Sequence, residues 1–296
     1  MTAVDADACA EFAPAKVNLT LAVGRARADG YHPLDSLVVF ADWGDRIEVR
    51  DGAGLTLSLE GESAGPLRGE PQNLVLKAAY ALRAAAERPD LSAALTLKKT
   101  LPVASGLGGG SSDAAAALRA LNRFWDLDFT TKQLAEIGGV IGADVPACVH
   151  ARPLQMTGVG EQVTPLIAWP ELHAVIAHPG AALATASVFR AFDGEDPPAL
   201  GSARAPAAGD FDSAIAVLEA GGNDLEPAAR ALEPLIGEVL DALAALDGAA
   251  LTRMSGSGAA CVSILKTEDA AARAARELQS ARPDWTVQPV RFGSAA

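Results

Sequence analysis

The residues best suited to chemistry are gathered in Pro102-Val-Ala-Ser-Gly-Leu-Gly-Gly-Gly-Ser-Ser112, directly ahead of an alanine-rich run from Asp113 to Asn122. Gly106, Gly108, Gly109 and Gly110 have no Cβ, so the backbone there can turn left-handed and come close to a ligand. Ser111, Ser112 and Asp113 are natural caps for the helix that follows. The unpaired N–H groups of a first helical turn, aided by a dipole equivalent to roughly half a positive charge, stabilise phosphate without a lysine. Two better-known phosphate loops are excluded. A Walker loop needs Gly-Lys-Ser/Thr, and here Gly110 is followed by Ser111-Ser112-Asp113. A dinucleotide-binding loop needs a third glycine and a second strand directly after its helix, but Ser111 holds that glycine position and Asp126 to Ile137 reads as a turn and another helix.

Phosphoryl transfer asks for a phosphate cradle, a metal ion to spread charge, an oriented hydroxyl and a group to accept its proton. The Ser112 hydroxyl is an N-cap or a contact for the β/γ-phosphates or the metal. Asp144 follows an expected helix end at Gly142 and precedes Val145-Pro146, which restricts the backbone; it is a solvated turn residue or a carboxylate presented on a rigid segment. Lys16, flanked by Ala15 and Val17, either snorkels to the surface or serves a site. Tyr31-His32 follows the Asp29-Gly30 turn and offers a flat face and a ring-edge hydrogen bond, although such a pair is also ordinary half-buried structure. Ser255-Gly256-Ser257-Gly258 alone reads as a hairpin turn.

The elements that position these groups are strands first and helices later. Glu11 to Arg25, Ser36 to Ala41, Arg46 to Arg50 and Gly54 to Glu60 read as strands, Asn73 to Glu87 as a helix, and Leu95 to Lys99 as the strand feeding the glycine loop. Helices are expected over about Asp113 to Phe124 and Thr131 to Ile141. After Met156 come a strand at Ala174 to Ala177, helices near Thr185 to Phe192 and Pro227 to Leu246, strands at Ala250 to Arg253 and Ala260 to Leu265, a helix from Glu268 and a strand at Trp285 to Val290. Without regular βαβ alternation, the class is α+β, and the later unit suits a ferredoxin-like sandwich. The 296 residues allow two modest domains, with the boundary expected near 155 to 165, that is 1–160 and 161–296. Asp193 to Asp210, dense in Pro, Gly, Ala and Ser, reads as a long surface loop.

A net charge of −13 repels nucleic acid and anionic membranes, so no partner of either kind is expected. No apolar run is long enough to span a bilayer and no basic leader precedes Lys16, which points to the cytoplasm. Cys9, Cys148 and Cys261 are far apart and form no metal-ligand spacing with the four histidines, so no protein metal site is expected.

The glycine loop resembles the ATP loop of the GHMP kinases, a family of small-molecule kinases. Ala13-Pro-Ala-Lys-Val-Asn-Leu19 resembles the family's first motif and Met254-Ser-Gly-Ser-Gly-Ala-Ala260 its third. Pro14 to Asn18, Arg27 to Pro33, Gly142 to Pro146, Gly158 to Glu161 and Asn223 to Glu226 narrow the likeness, in family order over nearly the whole chain, to members acting on a diphosphocytidyl methylerythritol in the non-mevalonate isoprenoid route. The resemblance implies two domains, an N-terminal ribosomal-protein-S5-like one and a C-terminal ferredoxin-like one, with the active site in the cleft between them. It implies ATP and Mg2+ as cofactors, and a monomer or weak homodimer.

By the same resemblance Asp144 is the catalytic aspartate and Lys16 lies near it. Pro102, Gly106, Leu107, Gly108, Gly109, Gly110, Ser111 and Ser112 hold ATP, with Asn73 near the adenosine. Tyr31 and Phe189 sandwich the cytosine, His32 hydrogen-bonds it, and Asn18 and Thr185 contact the methylerythritol end or its phosphates. Ser255, Gly256, Ser257 and Gly258 help hold the substrate's diphosphate. Ser105, Thr157 and Val262 depart from the family pattern, in loop and packing positions. A homoserine or mevalonate-derivative kinase and a non-catalytic nucleotide sensor are the other readings. Tyr31-His32 with Gly142-Ala-Asp144 disfavours the first, and Lys16 together with Asp144 disfavours the second.

Overall fold

The first strand is interrupted where a single one was expected. In this computed structural model, which describes residues 9–69, 73–195, 200 and 209–293, β1 covers Cys9–Asn18 and β2 only Ala22–Val23. Between them Leu21 turns to Asn223: Leu21 N–H donates to the Gly222 carbonyl (2.7 Å) and Asp224 N–H to the Leu21 carbonyl (2.9 Å). The next two expected strands are one, the 17-residue β3 over Leu34–Arg50. The polar Asp42–Asp45 stretch fails to break it because the chain is pinned against β1 there. A Cβ on Gly44 would lie 2.2 Å from the Ala13 carbonyl, so only glycine permits that approach.

Two compact units divide the chain. The first comprises the described residues up to Pro14, Gly44–Val103 and Gly109–His150; the second comprises Ala15–Trp43, Ala104–Gly108 and the described residues from Ala151. These are not the consecutive stretches that a boundary near 160 describes, because β1 and β3 each contribute to both units.

In the first unit β4 (Leu55–Glu60) runs parallel to β5 (Ala93–Lys98), which is antiparallel to the end of β3 with Ile47 opposite Leu97 and Val49 opposite Leu95. All four of those side chains are buried, as the two-residue alternation requires. A 3-10 turn at Glu62–Leu67 precedes α1 (Leu74–Ala85). Helix α2 spans Gly109–Phe124 and packs on α1 and on α4 (Val145–His150), while α3 (Thr131–Gly139) begins with a capping box between Thr130 and Gln133. The run Ala114 to Leu118 is fully buried in α2, and small side chains let the neighbouring helices close on it. Helix α4 was not anticipated. Pro146 is compatible with it because it occupies the second helical position, where its missing N–H removes no internal bond.

In the second unit β6 (Leu154–Gly158) and β7 (Gln162–Pro165) form a hairpin, with β6 paired to the start of β3. Beyond it lie β8 (Leu172–His178), α5 (Thr185–Asp193), α6 (Phe211–Glu219), α7 (Glu226–Leu232), α8 (Leu235–Ala244), β9 (Leu251–Met254), β10 (Cys261–Leu265), α9 (Glu268–Ala281) and β11 (Thr286–Gly293). The sheet order is β11-β8-β10-β9, antiparallel throughout, which counts fourth, first, third, second: the ferredoxin-like arrangement. Val175 and Ala177 of β8, Val287 of β11 and the apolar sides of α5, α7, α8 and α9 make one core. The single helix expected over Pro227 to Leu246 is two, parted at Glu233-Pro234. Most of the surface loop expected over 193 to 210 lies outside the described residues; Asp193 closes α5, and Asp210 caps α6 by accepting from Ser213 N–H (2.7 Å).

Candidate active site

The glycine loop owes its course to left-handed residues. Ala104 (φ 54°), Gly106 (80°) and Gly108 (62°) all have positive φ, whereas Gly109 and Gly110 already begin α2. The helix therefore starts earlier than expected, and Ser111, Ser112 and Asp113 lie inside its first turns instead of capping it. Ser112 is fully buried, and its hydroxyl donates to the Pro14 carbonyl (2.7 Å). That bond takes the hydroxyl's proton and leaves the oxygen's lone pairs as its only polar offer.

Within the second unit the loop's backbone is held by two neighbours. Lys16 N–H donates to the Leu107 carbonyl (2.9 Å), Ser255 Oγ donates to the Gly106 carbonyl (3.0 Å), and Ala260 N–H donates to the Ser105 carbonyl (2.9 Å). A Cβ on Gly108 would sit 3.0 Å from Lys16 Cβ and 3.2 Å from its Cε, so glycine makes room for the lysine stem along the loop. The serine–glycine segment is itself fixed by Asn223, whose Nδ2 donates to the Met254 (2.9 Å) and Gly256 (2.8 Å) carbonyls. Asn18 N–H donates to Ser255 Oγ (3.2 Å), and Asn18 Nδ2 to Ser36 Oγ (2.7 Å). Asn18 Oδ1 is buried and has no hydrogen-bond partner among the described residues. A buried acceptor left open is costly unless a ligand donor meets it.

In the first unit a buried ionic group underlies the start of α2. Lys99 Nζ contacts Asp45 Oδ2 (2.5 Å) and Asp113 Oδ2 (2.7 Å), and Asp45 Oδ1 accepts from the N–H groups of Thr100 (2.5 Å) and Leu101 (2.8 Å). Burial, with the charge of Asp45 adding to it, pushes the Asp113 carboxyl up to about 8 against the pull of Lys99. Burial works to lower the Lys99 ammonium, but Asp113 and Asp45 outweigh it and hold the group above its ordinary value. A Cβ on Gly109 would lie 2.9 Å from Lys99 Nζ, so the helix starts directly against that ammonium. Sequence reasoning missed this group. In the sequence Lys99 reads as the end of a strand and Asp113 as a cap, and nothing local points to Asp45.

Asp144 immediately precedes α4, and its carbonyl accepts from Cys148 N–H (3.2 Å). Asn73 is the N-cap of α1, its Oδ1 accepting from Val75 N–H (2.9 Å), a structural duty that the expected place near adenosine did not foresee. These two residues and Gly109 to Ser112 belong to the first unit; Lys16, Asn18, Gly106 to Gly108 and the serine–glycine segment belong to the second.

The acceptor-side residues also meet within the second unit. The His32 and Phe189 rings stack at 4.8 Å with a 41° tilt, Phe192 meets His32 edge-on at 6.2 Å, and Tyr31 beside them is 59% exposed. His32 Nε2 pairs with Asp193 Oδ1 (2.8 Å), a partner 161 positions away that no local pattern could have named. Thr185 Oγ1 and Ser257 Oγ are 2.9 Å apart, joining the start of α5 to the serine–glycine segment.

Among the described residues no group of three or more His, Cys, Asp or Glu side chains could hold a metal. Magnesium in phosphoryl transfer keeps several waters and binds chiefly to nucleotide phosphates with few protein oxygens, so it does not require such a group. No helix among the described residues is long and apolar enough to cross a membrane.

The model for the GHMP kinases N terminal domain matches residues 73–152, and that for the GHMP kinases C terminal domain matches residues 202–284. A 4-diphosphocytidyl-2-C-methyl-D-erythritol kinase from Parvibaculum lavamentivorans is 49% identical, covering 94% of this chain and 96% of its own. One of the same name from Granulibacter bethesdensis is 48% identical, covering 91% and 89%. A crystal structure of 4-(cytidine 5'-diphospho)-2C-methyl-D-erythritol kinase superposes with a TM-score of 0.75 at 34% identity, covering 97% of this chain and all of that one. The homoserine kinase of Cytophaga hutchinsonii, at 18% identity and a TM-score of 0.69, shares the fold.

Proposed function

This chain belongs to the GHMP kinase family and is an ATP-dependent small-molecule kinase, and we propose that it phosphorylates the 2-hydroxyl of 4-diphosphocytidyl-2-C-methyl-D-erythritol, in the non-mevalonate route to isoprenoids. The observation that carries the acceptor's identity is the aromatic group of His32, Phe189 and exposed Tyr31. A cytosine ring needs flat faces and a polar edge, which a small aliphatic alcohol such as homoserine does not. With Nε2 engaged by Asp193, His32 has Nδ1 left for the base's edge.

The backbone of Gly106 to Gly110 and the open end of α2 cradle the ATP phosphates. The two carboxylates beneath that start, Asp45 and Asp113, are engaged by Lys99. Asn18 Oδ1 accepts a hydrogen bond from the methylerythritol end, satisfying its open position, and Thr185 with Ser255 to Gly258 holds the diphosphate. Asp144 orients the 2-hydroxyl and takes its proton, and Lys16 counters the negative charge that gathers on the transferred group. Mg2+, when bound with the nucleotide, would supply further charge neutralisation at the phosphates, and the Ser112 oxygen is the group at the helix start that would be offered to it. The protein acts in the cytoplasm as a monomer or weak homodimer.

Tyr31→Ala tests the acceptor end. Stacking of a base on an aromatic contributes about 1–3 kcal/mol, so acceptor KM is expected to rise roughly 5- to 100-fold while ATP affinity stays within about twofold. An ATP dissociation constant that moves as far as the acceptor's would show that Tyr31 only shapes its loop.

A further inference from the structure

One side chain ties together the three elements that carry the proposed chemistry in or beyond the first unit. Arg119 lies on α2, the helix that begins at the glycine loop. Its Nη1 donates to the carbonyls of Cys148 (2.7 Å) and Val149 (3.4 Å) at the end of α4, the helix that Asp144 immediately precedes. Its Nη2 donates to the Phe12 carbonyl (2.9 Å) and its Nε to Glu11 Oε1 (2.7 Å), both in β1, the strand that continues to Lys16. The side chain is only 17% exposed, as is that of Glu11, so this fork is shielded from water and spends its donors on three backbone carbonyls and one carboxylate.

We propose that Arg119 is a positioning residue for catalysis, setting the place of Asp144 by gripping α4 against β1 and α2. Helix α4 is six residues long, so holding its last carbonyls fixes it as a rigid body and with it the residue at its head. The cation also lies at the helix's C-terminal end, where the peptide dipoles favour positive charge. Misplacing a catalytic group by about 1 Å costs up to roughly a hundredfold in rate. This inference rests on Asp144 serving as the base.

The test uses Arg119→Gln and Arg119→Lys in the full chain, with kcat, both KM values and ADP affinity measured wherever circular dichroism shows native folding. Lysine retains the charge but reaches only some of the four acceptors, so it keeps the fold if glutamine does not. With Arg119→Lys, kcat is expected to fall on the order of tenfold, with ADP affinity and both KM values within about twofold. In an Asp144→Asn background the same change should cost no further activity, because Arg119 acts through that carboxylate. An unchanged kcat, an undiminished loss in the Asp144→Asn background, or a loss that tracks weakened ADP binding would each overturn the proposal. Failure of the reading beneath it looks different: Asp144→Asn by itself would then be nearly as active as the parent.

Discussion

Asp144→Asn is expected to lower kcat by about 10²–10⁴-fold, the usual range for a positioned general base, while both substrates bind as before. The amide keeps the carboxylate's shape and one acceptor but cannot take the hydroxyl's proton. The residue is half-buried and its own main-chain carbonyl, unchanged in the variant, holds the first turn of α4. If the transition state is loose, orientation outweighs base strength and the loss sits at the low end of that range. Lys16→Met should be comparably damaging. If the two serve one step, as proposed, the double variant should lose far less than the product of the two single losses. Steady-state kinetics with calorimetric binding of both substrates decides this, and near-normal turnover in folded Asp144→Asn would remove the residue from the mechanism.

Gly106→Ala is expected to be the most harmful of the conservative changes in the loop. Gly106 has a φ of 80°, and a Cβ there would lie 2.5 Å from the Ser255 carbonyl and 2.8 Å from that of Gly258. The left-handed backbone alone costs about 1–2 kcal/mol with a side chain present, and the carbonyls it would strike are main-chain atoms that cannot swing aside. Leaving the cradle's shape to relieve this strain should weaken ADP binding by roughly tenfold or more. Gly110→Ala is the control: its new Cβ would meet only Leu74 Cδ1, at 3.5 Å, in a helical position where alanine is favoured. Calorimetry on the two variants should separate them clearly. Equal ADP affinity in both would mean that the glycines serve chain folding and not the phosphates.

The contrast between those glycines shows what the sequence could tell. Glycine density marked the irregular loop because left-handed backbone and close approach are local requirements, and Gly106 and Gly108 meet them. It did not locate the helix start, because Gly109 and Gly110 are also tolerable in a first turn and Ser112 prefers the Pro14 carbonyl to a cap. The ferredoxin-like order of the second unit was legible from alternating strands and helices. The single long β3 was not, since the close approach of Ala13 to Gly44 that straightens it is made by residues 31 positions apart. The Lys99 group and the His32–Asp193 pair were hidden for the same reason. Their partners meet only through the fold, and neither residue type nor spacing marks them beforehand.

The central claim is the identity of the acceptor, and the most direct measurement is kcat/KM by ADP release with magnesium ATP and a panel of alcohols. The account predicts turnover with 4-diphosphocytidyl-2-C-methyl-D-erythritol, preferred over homoserine and mevalonate by roughly a thousandfold or more, because a site built to hydrogen-bond one ligand leaves polar groups unpaired with another. Turnover with homoserine, and none with the diphosphocytidyl alcohol, would contradict it.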